Sequence, residues 1–370
     1  MNKLKTGWFM TLGLIIYLCC PGYATADNTA VDEVDFFDLS IEELSEITIT
    51  AASEFTETPL SVASSVSTIQ EKDWQKYGAR RSNDALSHLP GVDFVSIIEG
   101  SQAIRIRGYS SVAPRGHAYL LDGVPINSFA FNTSSYNMNN AGIYGLQNIE
   151  LIRGPVAVQY GTDAFHGAVA MQSYGADSPE TRIHTAVASN NMATLNLRHT
   201  SDFNNHIMNV SLQSLKQGDQ EQSYSWTDSS ANLSGTGSWE NKEEFFMGMV
   251  KLRSQIDSGW YYDVGLYLKE EELDNFPGYG NFFGTSLRDR DLFSNHNNLQ
   301  MVRAKVGHHL DNDIDMEVEG FHWRSGIRDH RWRQYSDQRQ WSKDEFRSGI
   351  NLTVKQEDNP LNTRWSLALP

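Results

Sequence analysis

Cysteine is nearly missing: the 370 residues hold two, Cys19 and Cys20, side by side in the first apolar run. With that run removed no thiol remains, which excludes disulfide frameworks, thiolate metal sites and cysteine nucleophiles. Positive charge is scarce too, with 30 Lys and Arg against 46 Asp and Glu. Such a balance argues against a nucleic-acid partner. No run of 18 apolar residues follows residue 26, so no transmembrane helix is expected in the remainder. A soluble protein and a barrel of short alternating strands both stay open. Catalytic signatures are also lacking. The 11 His residues are scattered, with His308-His309 the adjacent pair. There is no His-x-x-x-His motif, no Gly-x-Ser-x-Gly elbow and no phosphate-binding Gly loop. Neither an enzyme nor a cofactor is expected. His296, His308, His309 and His322 read as ordinary strand histidines, with metal or haem ligation as the alternative, and no metal site is assigned.

What is present falls into four zones. Residues 1–26 read as a secretory signal: Lys3 and Lys5, an apolar run from Trp8 to Cys20, and Ala24-Thr25-Ala26 before Asp27. Removing its two Lys leaves 28 basic against 46 acidic residues, or −18. Residues 27–54 form an acidic leader ending in Ile47-Thr48-Ile49-Thr50-Ala51, whose alternation predicts a short strand. Residues 55–175 predict one α/β domain. A strand at 65–69 leads to a helix over 71–77 closed by Gly78, then a helix over 82–88 with Ser82 as N-cap. Strands follow at 104–107, 118–121 and 149–152, bounded by Gly108, Asp122-Gly123 and Gly154-Pro155.

From 178 to 370 the pattern becomes alternating segments of about ten residues, the length of a membrane barrel strand. Nine are predicted, at 182–189, 192–200, 206–215, 245–256, 260–270, 298–310, 314–324, 345–355 and 363–369. In the fifth, Trp260, Tyr262, Val264, Leu266 and Leu268 share one face, and Tyr261, Asp263, Gly265, Tyr267 and Lys269 the other. Short and long connections alternate, with 216–244 and 271–297 long and polar. Seven of nine Trp residues lie beyond 220, and Trp239, Trp260, Trp323 and Trp341 sit where an interfacial girdle would use them. The alternation alone fits both a membrane barrel and a soluble sandwich.

An ordered set of motifs chooses between them. Leu89-Pro90-Gly91-Val92 is followed by Ile104-Arg105-Ile106-Arg107-Gly108, then by Leu120-Leu121-Asp122-Gly123-Val124-Pro125. Ile149-Glu150-Leu151-Ile152-Arg153-Gly154-Pro155, Tyr160-Gly161-Thr162-Asp163-Ala164 and Gly167-Ala168-Val169 complete it. In this order and spacing the set resembles the plug domain of TonB-dependent outer-membrane receptors. The residues also make sense unaided. Gly108, Gly123, Gly154, Gly161 and Gly167 permit turns or close backbone approach, and Pro155 ends a strand. One departure is Ala168-Val169-Ala170-Met171-Gln172-Ser173, which lacks the Asn of the family's closing plug strand and puts the local pairing in question.

The resemblance implies an α/β plug domain followed by an antiparallel transmembrane β-barrel of the 22-stranded type. It places the protein in the outer membrane of a Gram-negative bacterium, in contact with lipid. It implies that Ile47, Thr48, Ile49, Thr50 and Ala51 contact TonB and its inner-membrane energising complex by adding a strand to the partner's sheet. It assigns Arg107, Glu150 and Arg153 to plug–barrel ion pairs. It implies active uptake of a scarce nutrient, first an iron–siderophore complex, with cobalamin, haem or oligosaccharide as alternatives of the same fold. A non-transporting surface receptor or adhesin is the alternative of another class. Nine strands in the 193 residues of 178–370 are too few to enclose a plug, so the barrel is expected to be incomplete at residue 370.

Overall fold

The computed structural model describes residues 64–96, 102–108, 116–129, 141–156, 160, 164–189, 191–218, 221–228, 233–240, 242–254, 259–274, 294–310, 314–334, 337–356 and 365–369. The predicted signal at 1–26 and the leader strand at 47–51 lie outside them.

The first part of the chain builds a small mixed sheet. β1 (Ser65–Gln70) runs into α1 (Glu71–Lys76), and α2 (Ser82–Leu86) follows. The Asp73 carboxylate accepts from the Gln70 amide at 2.9 Å, satisfying a free donor at the start of α1. Gly78 stops this helix in the left-handed region at φ 65°. Ser82 was expected to cap α2, but Arg81 holds that position. The reason is Asp84, one turn in, whose carboxylate accepts from the Arg80 and Arg81 amides at 3.1 Å each. β2 (Val92–Ser96) and β3 (Gln102–Ile106) then form a separate hairpin.

β4 (His117–Leu121), β5 (Val124–Pro125), β6 (Leu146–Arg153) and β7 (Gly167–Ser173) complete a five-stranded sheet ordered β1-β6-β7-β4-β5. β4 and β7 are parallel, and the other neighbours antiparallel. Asp122 and Gly123 join β4 to β5 with φ of 47° and 83°, the two positive values that a two-residue hairpin turn of the primed type needs. Despite lacking the family Asn, β7 pairs on both sides, along β4 and along β6. Gly167 is required there: a Cβ would stand 2.3 Å from the Ile152 carbonyl oxygen. One face of the sheet carries Tyr119, Leu121, Ile149, Leu151, Val169 and Met171 into the main core. The other packs Ala118, Leu120, Ile152, Ala168 and Ala170 under Val156 and Ala164.

Beyond residue 180 the chain folds as a long antiparallel wall. Its strands are β8 (Glu180–Ala188), β9 (Met192–Phe203) and β10 (His206–Gln217). A two-stranded ribbon of β11 (Glu221–Asp228) and β12 (Leu233–Glu240) interrupts the sequence. The wall resumes with β13 (Glu243–Ser254), β14 (Trp260–Asp274), β15 (Ser294–Leu310), β16 (Ile314–Gln334), β17 (Asp337–Gln356) and β18 (Trp365–Leu369). The nine wall strands lie in the order β18-β17-β16-β15-β14-β13-β10-β9-β8, an open sheet, so the barrel is incomplete. The nine predicted segments correspond to these nine strands. The polar stretch 216–244, expected to be a loop, contains the ribbon instead. Its Ser, Thr and Gly content hid the strand pattern.

The wall is apolar outside and polar inside, as the sequence alternation requires. Ile183, Val187, Leu195, Leu266, Val318, Phe346 and Ile350 are exposed on the outer face. Asn196, Arg198, Asn209, Gln213, Lys269, Glu271 and Arg303 are buried on the inner face. Inner glycines make room for aromatic rings across the ladder. Tyr261 pairs with Gly307 and Phe321 with Gly349, and a Cβ on either glycine would meet the ring within 2.5 Å. The main core is continuous from the small sheet to the wall's Phe245, Met247, Met249, Tyr267, Met301 and Trp323.

Candidate functional site

The small sheet and its helices are tied to the inner face of the wall at four groups of contacts. The first is built on α2. Arg81 is buried and forms an ion pair with Glu243 on β13 and a longer one, 3.7 Å, with Glu271 on β14. Its guanidinium also lies 3.6 Å from the Phe245 ring centroid. Glu271 is held on its other side by Lys269 at 2.9 Å. The second group centres on Arg198 of β9. This side chain donates to Glu71 at 2.6 Å, to the Leu146 carbonyl at 3.0 Å and to the Tyr144 carbonyl. One wall guanidinium thus satisfies a helix-start carboxylate, a carbonyl of the loop before β6 and the carbonyl of the first residue of β6.

The third group surrounds Asp122, at the turn between β4 and β5. Its carboxylate accepts from the Ser173 amide at 2.8 Å, from the Ser173 hydroxyl at 2.5 Å and from the Tyr267 hydroxyl. Lys251 of β13 stands 3.7 Å away. Burial alone would raise the Asp122 pKa, but Lys251, Arg303 and the two hydroxyl donors outweigh it and hold the group at about 2. Below it, Arg253 donates to the Gly175 carbonyl at 2.5 Å and the Ala176 carbonyl at 2.8 Å. The fourth group reaches β16 and β17. Trp323 Nε1 donates to the Pro125 carbonyl at 2.9 Å. Glu345 accepts from the Ser128 hydroxyl at 3.1 Å and the Phe129 amide at 3.0 Å, and Lys343 donates to Ser128 at 2.8 Å.

The predicted ion-pair residues lie elsewhere. Arg153 donates to the Pro90 carbonyl at 3.1 Å and the Ser67 hydroxyl at 2.8 Å, both in the small domain. Glu150 is fully buried. Alternation puts it with Ile152 on the face whose apolar cluster comes from the small domain alone. Arg107 is exposed, in the left-handed region at φ 54° beside Gly108 at φ 73°. Burial lowers the Arg153 pKa, and the neighbouring Arg107 charge adds to this. The register shows why they do not meet this wall. Arg153, Gly167 and His117 share one end of the sheet, while Asp122, Ser173 and Leu146 share the end that bonds this wall. So the charges that meet this wall include Glu71, Arg81 and Asp122. Of these, Asp122 was singled out in sequence only as a turn residue, and Arg81 carried no motif at all.

Other expectations divide similarly. Trp260 is exposed on the outer face and stacks on His308, as a girdle residue would. Trp323 instead points inward and is completely buried. Gly154 has φ 123° and Pro155 is exposed, whereas Gly161 lies outside the described residues. No group of three or more His, Cys, Asp or Glu able to hold a metal occurs among the described residues. No helix among the described residues is long and apolar enough to cross a membrane, which says nothing of strands.

Comparison with known proteins places this geometry. Residues 58–168 match the family described as TonB-dependent Receptor Plug Domain. The vitamin B12 transporter BtuB of Vibrio vulnificus is 27% identical over 156 residues, covering 42% of this chain and 25% of that protein. The chain therefore matches about a quarter of that relative's length. Among solved structures, the ferripyoverdine receptor of the outer membrane of Pseudomonas aeruginosa superposes with a TM-score of 0.66 at 14% identity. The match covers 88% of this chain and 44% of that one. The ferric yersiniabactin uptake receptor FyuA of Yersinia pestis gives 0.62 at 16% identity, over 80% and 46% of the two chains. At these identities the likeness is one of fold. The proteins named are transporters and receptors, not enzymes.

Proposed function

We propose, for a chain that is a TonB-dependent receptor by its plug domain and by the fold of its wall, that it serves active uptake of a scarce chelated nutrient across a Gram-negative outer membrane. The observation that carries this reading is the plug itself. A folded sheet sits against the polar inner face of a wall whose outer face is apolar, tied there by Arg81, Asp122 and Arg198. A domain held by side-chain contacts and shared apolar packing, with no strand paired to the wall, can be shifted without unfolding the wall. Substrate would bind on the side of the long connections. TonB would take up Ile47–Ala51 as an added strand and draw on the plug through it. No bond of the substrate changes.

A ferric siderophore is the proposed cargo, on the footing of the siderophore receptors among the similar folds. Cobalamin is the second reading, favoured by the sequence match to a vitamin B12 transporter. For Arg107 and Arg153, at the sheet end turned from this wall, the proposed partners are carboxylates of strands that complete the barrel, and for Glu150 a supporting role beside Arg153.

The test is deletion of residues 47–51 in the source bacterium, with binding and uptake of labelled ferric siderophore and labelled cobalamin measured separately. Uptake should vanish while surface binding persists. Unchanged uptake would refute the transport reading, and the label that accumulates in the undeleted strain identifies the cargo.

A further inference from the structure

Two histidines meet inside the plug, and the transport reading uses neither. His117 opens β4 and is 4% exposed, and His166, half-buried, stands one residue before β7. Their ring centroids lie 5.5 Å apart at 38°. They are not among the wall histidines weighed as ligands in the sequence. Of those, His308 meets the Gly259 carbonyl at 2.7 Å, His309 the Asp315 carboxylate and His322 the Ser348 hydroxyl at 2.8 Å.

The backbone fixes the plug pair. β4 and β7 run parallel with His117 opposite Gly167. The His166 amide donates to the Gly116 carbonyl at 2.7 Å, and the His166 carbonyl accepts from the Gly154 amide at 3.2 Å. Gly116 lies at φ 80° and makes room for the ring: a Cβ there would stand 2.8 Å from His166 Cδ2 and 3.5 Å from Nε2. The Nε2 edge of His166 is thus turned to the strand end that carries His117.

The spacing is that of two imidazoles on one ion. Aromatic packing favours stacked or edge-on rings, and a tilt of 38° is neither. Phe165 meets the same His166 ring edge-on, at 88°. A metal–nitrogen bond of about 2.05 Å, with about 1.15 Å from nitrogen to ring centre, puts each centroid about 3.2 Å from the ion. A tetrahedral angle then separates the two centroids by about 5.2 Å, within about 0.3 Å of the observed spacing.

We propose that His117 and His166 hold one late first-row divalent ion, of the Zn²⁺, Cu²⁺ and Ni²⁺ class, as a clamp between the start of β4 and the entry to β7. Imidazole suits such ions, whereas Ca²⁺ and Mg²⁺ need oxygen ligands. Both ligands belong to the plug, so the ion is resident in the fold and is not the cargo. The partial exposure of His166 gives the ion access and leaves its other positions to water. The clamp lies at the sheet end away from the Asp122 contacts, so it stiffens the part of the plug that this wall does not hold.

The test uses the full chain in detergent micelles, stripped with EDTA and titrated with ZnCl₂ or NiCl₂. Hydrogen exchange is read at the His166 and Gly154 amides, which metal on the wall histidines does not touch. At free Zn²⁺ about 100 times the dissociation constant, both amides should slow about 100-fold. MgCl₂ and CaCl₂ should leave them unchanged. His166→Gln should abolish the slowing while the Ser173 amide stays protected, which shows that the plug is still folded. His117→Gln should do the same, and the double variant should lose no more than either. His308→Gln, on the wall, should keep the slowing. Absence of slowing by both Zn²⁺ and Ni²⁺ in the wild-type chain overturns the proposal. So does slowing that survives His166→Gln, or equal slowing by Mg²⁺. Should His117→Gln unfold the plug, His166→Gln and the wild-type titration still decide. Neither labelled cargo nor residues 47–51 enter this measurement, so its outcome and that of the transport test stand apart.

Discussion

Asp122→Asn isolates the electrostatic part of plug docking. Asparagine keeps the size of the side chain and tolerates the left-handed φ of 47° at this turn, so the hairpin itself should persist. What disappears is the anion facing Lys251 and Arg303. The magnitude follows from the titration of the group. Its pKa is about 2 in the folded protein, against an ordinary value of about 3.9, and each unit is worth ~1.36 kcal/mol. The charge therefore contributes about 2.5 kcal/mol at neutral pH. Loss of one partner from a buried pair would cost about 3–5 kcal/mol where the other charge is left alone. Here the lower figure applies, because Lys251 keeps Asp263 at 3.9 Å and Arg303 keeps Glu319 at 2.5 Å.

The Ser173 amide, bonded to Asp122 at 2.8 Å, is the natural probe. Its hydrogen exchange should speed up roughly 50- to 100-fold in the variant if opening is local. The sign of the pH effect is also fixed. A carboxylate whose folded pKa is depressed stabilises above its unfolded pKa and loses that contribution as pH falls through the folded one. The wild-type contribution should therefore fade between about pH 4 and pH 2, and this component should be missing from Asp122→Asn. A variant within about 0.5 kcal/mol of wild type, or one with the same acid slope, would refute the ionic account.

Three further perturbations address other parts of the interface. Arg81→Ala leaves Glu243 and Glu271 facing each other without the α2 cation and should cost about 3 kcal/mol, seen as faster proteolysis of the plug at an unchanged wall strand signal. Gly167→Ala forces a Cβ against the Ile152 carbonyl at a φ of 153° and should break the β6–β7 pairing, lowering the denaturant midpoint without changing the Trp260 environment. His117 has its pKa lowered to about 4 by burial and then by the His166 charge. The unfolded chain binds the proton first, so stability should fall by up to about 3 kcal/mol as pH drops from about 6.5 to about 4, and His117→Phe should remove that slope in acid denaturation.

The wall was legible because its signal is a period of two repeated over many residues. The alternation of Trp260 to Lys269 separates an apolar face from a polar one, and the strand keeps that division, with Trp260 and Leu266 exposed and Tyr267 and Lys269 buried. The plug elements were legible through turn chemistry, Asp122-Gly123 and Gly154-Pro155 above all. Two kinds of feature were not. The β11–β12 ribbon lacks the apolar stripe that marks a half-buried strand. The docking charges were missed because pairing across the interface depends on which sheet end meets which strand. Arg153 and Asp122 are equally plausible from sequence, and only the β4–β7–β6 register sends one to the wall and the other away from it. Trp323 failed as a girdle residue for a related reason: a one-residue shift in phase separates an interfacial ring from a lumenal one.

The contacts that hold the plug also constrain the order of assembly. Within the wall each strand pairs mainly with its neighbour in sequence, so loops to be closed are short and the wall can zip up hairpin by hairpin. The plug sheet is different: β1 waits for β6, and Ser128 finds its acceptor 217 residues downstream at Glu345. Full docking must therefore lag behind formation of β17. Until that strand is in place, the plug is a domain held at the Arg81, Arg198 and Asp122 contacts but not yet at the fourth, a late kinetic step imposed by the connectivity alone.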